Sequence, residues 1–154
     1  MQLADFLDCD AIKTALPGGN KRSLMKQLAE LAGQRVGAEP ATVLAGLNER
    51  EQLGSTGFGQ GVAIPHAKIE GLDEIYALFA RLGEPVDYKA IDGRPVDLVF
   101  LLLSPPDAGA EHLKALAAIS RVTRDAATLE RLRGARTRDA LCAVLIGADE
   151  LDAV

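Results

Sequence analysis

Along this 154-residue chain the spacing of apolar positions changes several times, and each change marks an element. Leu24, Leu28 and Leu31 recur at helical spacing behind Pro17-Gly18-Gly19, with Asn20 placed to cap a helix N-terminus; this predicts a helix from Asn20 to near Gly37. Pro40 suits the first turn of a second helix, which carries Val43, Leu44 and Leu47 and reaches Arg50-Glu51. Ahead of both, QLADFLD reads as a short helix before the Pro-Gly-Gly hinge.

Beyond residue 60 the pattern shifts towards strands. VAIPH (62–66) is short and β-branched, and IYALFARL (75–82) and DLVFLLL (97–103) are apolar runs of strand length. The last is apolar at successive positions, so it is expected at the centre of the sheet, covered on both faces. Pro85, Asp92-Gly93 and Pro95 punctuate turns between these strands, and Ser104-Pro105-Pro106-Asp107 closes the second. A helix from about Ala110 to Thr123 carries His112 in its first turn, and two short helices near 126–133 and 137–146 follow. Helices on both sides of the strands predict one α/β layered domain over residues 1–154, without repeats or an evident linker.

Composition narrows the function classes. A net charge of −5 argues against a role on nucleic acid, which calls for a basic stripe. Arg131, Arg133, Arg136 and Arg138 alternate with apolar residues and acids, and read as a solvated helix face, with a docking patch as the other reading. Cys9 and Cys142 stand at opposite ends of the chain without CxxC spacing, which is expected of buried thiols in a reducing compartment rather than of a zinc site or disulfide framework. The N-terminus lacks a basic start followed by an apolar run, and the longest apolar stretch, Leu98–Leu103, is roughly a third of a membrane span. A cytoplasmic protein that does not insert into membrane is the expectation.

The candidate chemistry sits in GSTGFGQGVAIPHA, residues 54–67. Gly54, Gly57, Gly59 and Gly61 permit positive φ and close approach of a foreign group, and consecutive amides in such a loop can bind an anion. A nucleotide loop is excluded by context: no GK[ST] follows, and the loop joins a helix to a strand rather than a strand to a helix. Pro65 ends the strand's donor ladder, so His66 falls at an exposed strand end. Two readings of His66 stand at this point, a hydrogen-bonded core residue and a phosphoryl acceptor. An imidazole of unshifted pKa about 6.5 is roughly three-quarters neutral at pH 7, with a free nitrogen lone pair.

Phosphoryl transfer needs donors around the phosphate oxygens. Arg50 is the best candidate, its planar fork matching two oxygens; flanked by Glu49 and Glu51, it also reads as a surface ion pair. Ser55 and Thr56 offer hydroxyl donors to the phosphate, or simply hold the turn. His112, in the first turn of its helix, suits a donor beside His66 with a pKa lowered by the helix dipole; a partly buried structural histidine is the alternative.

Glu51, six residues, Phe58-Gly59, two residues, then Val62-Ala63-Ile64-Pro65-His66-Ala67 resembles the phosphorylation-site signature of IIA components of the bacterial phosphoenolpyruvate-dependent phosphotransferase system, mannitol/fructose type. IDGRPVDLVFLLLSP at 91–105 and EHLKAL at 111–116 extend the resemblance over nearly the whole chain. It implies a mixed β-sheet with helices on both faces and a phosphotransferase component that needs no cofactor. By position it assigns the phosphoryl acceptor to His66, the second active-site histidine to His112 and the arginine before the loop to Arg50. The implied phosphate donor is a histidine of the small carrier HPr or its nitrogen-branch counterpart. Phe58 and Gln60 depart mildly from the signature, where isoleucine and asparagine or histidine are commoner.

Two roles follow from the resemblance. A nitrogen-type IIA controls other proteins, such as kinases, potassium transport or stress regulators, through its phosphorylation state. A sugar-specific IIA hands phosphate to a IIB component for fructose- or mannitol-type uptake. LGSTGFGQGVAIPH is similar to nitrogen-type members, which favours the regulator. From other classes, a metal-dependent hydrolase would use His66 and His112 with a carboxylate such as Glu111, but the spacing matches no metal motif. A binding module that never carries phosphate would keep every activity after His66→Ala.

Overall fold

Strand β6 (Val96–Ser104) lies inside the sheet and turns its residues alternately to two apolar layers. Leu98, Phe100 and Leu102 enter one cluster, and Val99, Leu101 and Leu103 the other. This is why the run is apolar at every position from Leu98 to Leu103, as a strand covered on both faces requires. The computed structural model describes residues 1–152; Ala153 and Val154, the last two residues of the expected domain, lie outside them.

The sheet is mixed, in the order β1 (Lys13–Leu16), β5 (Tyr76–Val86), β6, β3 (Val62–Ala63) and β2 (Gly57–Gly59), with β4 (His66–Lys68) also paired to β6. β5 runs antiparallel to β6, whereas β3 and β4 run parallel to it. Helices α1 (Lys21–Val36) and α2 (Pro40–Gln52) cover one face. Helices α3 (Gly109–Thr123), α4 (Ala126–Gly134) and α5 (Arg138–Asp152) cover the other. The α/β architecture expected from the sequence is therefore the one observed. No helix among the described residues is long and apolar enough to cross a membrane.

Local signals place the first two helices well. The Asn20 side chain accepts from Ser23 N at 2.8 Å, Gly37 closes α1 in the left-handed region at φ 73°, and Pro40 occupies the first turn of α2. Elsewhere the fold departs from the expectation. QLADFLD forms only a 3₁₀ turn at Leu3–Asp5, because Leu7 bridges to Ala77 and the Asp8 amide donates to the Ala77 carbonyl at 2.8 Å. Pro85 sits inside β5 rather than in a turn, at a point where the β5–β6 register shifts and the ladder needs no donor from it. The last helix is not short but extends from Arg138 to Asp152.

Cys9 and Cys142 are a correction. They form a disulfide with Cα atoms 5.7 Å apart, not two separate buried thiols, so their spacing no longer argues for a reducing compartment. Sequence separation of 133 residues hid the pairing, since packing α5 against the Cys9–Ala11 turn brings the two together. The arginine cluster is exposed as expected, yet Arg133 is also committed. It pairs with Asp97 at 2.8 Å and donates to the Gln60 carbonyl at 2.7 Å, tying α4 to the glycine loop.

A histidine-lined cleft as the candidate active site

VAIPH, expected as one strand, is split by Ile64-Pro65 into β3 and β4. Val62 lies opposite Leu98 and His66 opposite Leu102, so the pairing with β6 resumes in the same register beyond the proline. The Ile64 amide turns away from β6 to the Thr56 carbonyl at 2.9 Å, while the Pro65 carbonyl still accepts from Leu102. The interruption frees the Ile64 carbonyl, and the His66 ring takes it: Nδ1 lies 2.7 Å from that oxygen.

The second ring nitrogen faces Arg50, whose Nε donates to His66 Nε2 at 3.2 Å. A guanidinium can only donate. Nε2 must therefore hold the lone pair, and Nδ1 carries the proton donated to Ile64. His66 is 8% exposed, and burial followed by the nearby Arg50 charge lowers its pKa, against opposing contributions from Ile64 and Glu51. The ring is thus neutral near pH 7, and two independent contacts define which nitrogen holds the lone pair.

Arg50 comes from the last turn of α2, where Nη1 also donates to the Gly54 carbonyl at 2.9 Å. Gly46 lets that helix approach β4, since a Cβ there would lie 3.1 Å from Ala67 Cβ. Among the described residues no carboxylate pairs with Arg50; the expected ion pair forms instead at Glu51, whose Oε2 accepts from Lys21 at 2.8 Å. Glu51 Oε1 accepts from Tyr88 at 3.0 Å and from the Thr56 hydroxyl, and Oε2 also accepts from the Thr56 amide. Burial pushes this carboxyl upward, but the bonds from Lys21 and Thr56 outweigh it and hold it below the usual value.

From the opposite side, His112 of α3 places its ring centroid 5.4 Å from that of His66. Its Nδ1 lies 2.6 Å from the buried Ser104 Oγ, at the end of β6. Burial, the His66 ring and Lys68 lower the His112 pKa to about 4. Arg50, His66, His112 and Lys68 line a cleft of about 490 Å³, and exposed Leu53 and Leu113 stand at its edge.

Of the five residues singled out from sequence, the fold brings together Arg50, His66 and His112. Ser55 and Thr56 do not line the cleft. Ser55 accepts from the Gly57 amide at 3.0 Å, and Thr56 is fully buried between Glu51 and Tyr88. Glu111 pairs with Lys114 on the helix surface rather than joining the histidines. Tyr88, Lys21, Lys68 and Ser104 were not singled out, because their link to the site is tertiary and no local pattern marks it. A larger groove of about 630 Å³ lies beside α4, but its Arg133 and Asp97 are already paired to each other, and neither histidine reaches it.

Residues 5–147 match the family described as phosphoenolpyruvate-dependent sugar phosphotransferase system, EIIA 2, and the chain belongs to that family. It is 46% identical over 145 residues to a nitrogen regulatory protein of Bradyrhizobium diazoefficiens, covering 94% of this chain and 95% of the relative. The crystal structure of nitrogen regulatory protein IIA-Ntr from Neisseria meningitidis superposes with a TM-score of 0.88 at 34% identity, covering 93% of this chain and 98% of that one. The mannitol IIA of Escherichia coli shares the fold, with a TM-score of 0.75 at 19% identity over 90% of this chain and 97% of that chain.

Proposed function

We propose that His66 Nε2 accepts a phosphoryl group from the phosphohistidine of an HPr-type carrier, and that the phosphorylation state of this chain regulates partner proteins. The observation that carries this reading is the double constraint on His66: Nδ1–H is held by the Ile64 carbonyl while Nε2 keeps its lone pair beside Arg50. As Nε2 attacks phosphorus, the P–N bond of the donor breaks and its imidazole leaves with its own ring proton. His66 keeps the proton on Nδ1, and the positive charge that develops on its ring is stabilised by the Ile64 oxygen. For this attack Arg50 first swings away from Nε2, freeing its lone pair, and turns to the oxygens of the incoming phosphoryl group.

The nitrogen-regulatory role is favoured by the 46% identical relative of that name, which matches this chain nearly end to end. Phosphorylation adds roughly two negative charges beside exposed Leu53 and Leu113, enough to change which partner surface the cleft accepts.

The test is transfer of label from phosphoenolpyruvate through enzyme I and the HPr-type carrier of the same organism. Wild type is expected to take acid-labile, base-stable label, and His66→Ala none. A wild type that stays unlabelled with both the sugar-branch and nitrogen-branch carriers would refute the carrier role. Rapid passage of the label to a IIB component would shift the reading to sugar uptake.

A further inference from the structure

We infer that Ser104 is a positioning residue that fixes the tautomer of His112, so that His112 presents an Nε2–H donor to the cleft rather than a lone pair. What that donor serves rests on the phosphoryl-carrier reading given above. Ser104 ends β6, fully buried, with its hydroxyl 2.6 Å from His112 Nδ1. Either atom of such a pair can in principle donate. Among the described residues, however, the Ser104 hydroxyl has no other hydrogen-bond partner. Its proton must therefore go to Nδ1, because a buried hydroxyl left without an acceptor costs about as much as a lost hydrogen bond. With Nδ1 accepting, the ring proton resides on Nε2, which makes no bond among the described residues and belongs to a ring lining the cleft.

The choice of tautomer decides the sign of what His112 does. The ring is neutral at working pH, its pKa lowered to about 4, so it cannot attract a phosphoryl group by charge. As an Nε2–H donor it stabilises an anionic oxygen on a group carried by His66, whose ring centroid is 5.4 Å away. As the other tautomer it would turn a lone pair towards the same oxygen and repel it. Ser104 has no contact with the transferred group; it acts only through the ring of His112.

Nitrogen NMR of the histidine rings tests this directly, because protonated and unprotonated ring nitrogens resonate far apart. In wild type at pH 7, His112 is expected to show Nε2 protonated and Nδ1 unprotonated. Ser104→Ala, checked for wild-type thermal stability, is expected to give a mixture of tautomers and to slow phosphoryl acceptance about fivefold, the worth of one neutral hydrogen bond. In a His112→Ala background the same substitution should change the rate no further. A wild-type His112 protonated on Nδ1, an unchanged spectrum in Ser104→Ala, or an equal slowing without His112 would each overturn the assignment. Absence of labelling in wild type would count against the carrier reading alone, since the tautomer is read without phosphate.

Discussion

On the α2 flank of His66 the chain works with full charges, and on the α3 flank with neutral dipoles. Arg50 is permanently charged, and behind it Glu51 gathers Lys21, Thr56 and Tyr88 into a buried network. Across the cleft, His112 is stripped of charge by burial and held by one serine hydroxyl. The contrast suits a site that receives an anion and passes it on. On the carrier reading the Arg50 guanidinium draws the phosphate in, with Lys68 also on the cleft. His112, as a neutral donor, orients the oxygens without adding a further charge that would raise the cost of release. Burial and Arg50 meanwhile keep the His66 ring itself neutral.

Removing the charged flank is expected to have the largest effect. Arg50→Ala should lower the rate of phosphoryl acceptance by about 10²-fold, the loss typical of a key donor to developing charge. Arg50→Lys should recover little of it, since an ammonium cannot reach the ring nitrogen and two oxygens with one planar fork. Quenched-flow labelling measures both, and a fully active Arg50→Lys would show that charge alone suffices on this flank. The neutral flank is worth less: His112→Ala should cost roughly tenfold in the same assay, as one hydrogen-bond donor does. A loss equal to that of Arg50→Ala would erase the asymmetry between the flanks.

The smallest expected rate effect belongs to the network behind Arg50, where the readout is stability. Glu51→Gln should destabilise the fold by about 1–3 kcal/mol at pH 7, by weakening bonds to a buried carboxylate. For a domain of this size that is a fall in Tm of about 2–4 °C per kcal/mol. The pH dependence follows from the lowered carboxyl pKa. Glu51 contributes its full stabilisation above its ordinary value of 4.5, and loses it as pH falls through the lower folded-state value. The Tm gap between wild type and Glu51→Gln is therefore expected to narrow below pH 4.5. A gap that stays constant down to strong acid would place the stabilisation elsewhere.

Much of this was legible locally. Helices α1 and α2 announce themselves through Asn20, Gly37 and Pro40, because caps act within one turn of the residue that makes them. The loop signature singles out His66 and, sixteen residues before it, Arg50. The mild departure at Gln60 also has a local reason: the residue sits at φ 59°, a left-handed position that asparagine occupies more easily than glutamine. Strands β1 and β2 were not legible, at four and three residues with no apolar alternation to mark them. The place of Ser55 and Thr56 in the loop allows both readings, phosphate donor and turn holder, because it does not say which way a hydroxyl points.

The sequence by itself determined the class of fold, the family and the histidine at its centre, since periodicity, caps and a long loop signature are all written within short windows. Tertiary structure alone decided which groups meet around that histidine. Glu51 finds Tyr88, Ser104 finds His112, and Cys9 finds Cys142 only once the sheet has set the register of β4 against β6 and the helices have closed over both faces. Hydrogen bonds and covalent pairing depend on separations of a few ångströms, and spacing along a chain carries no such distance until the chain has folded.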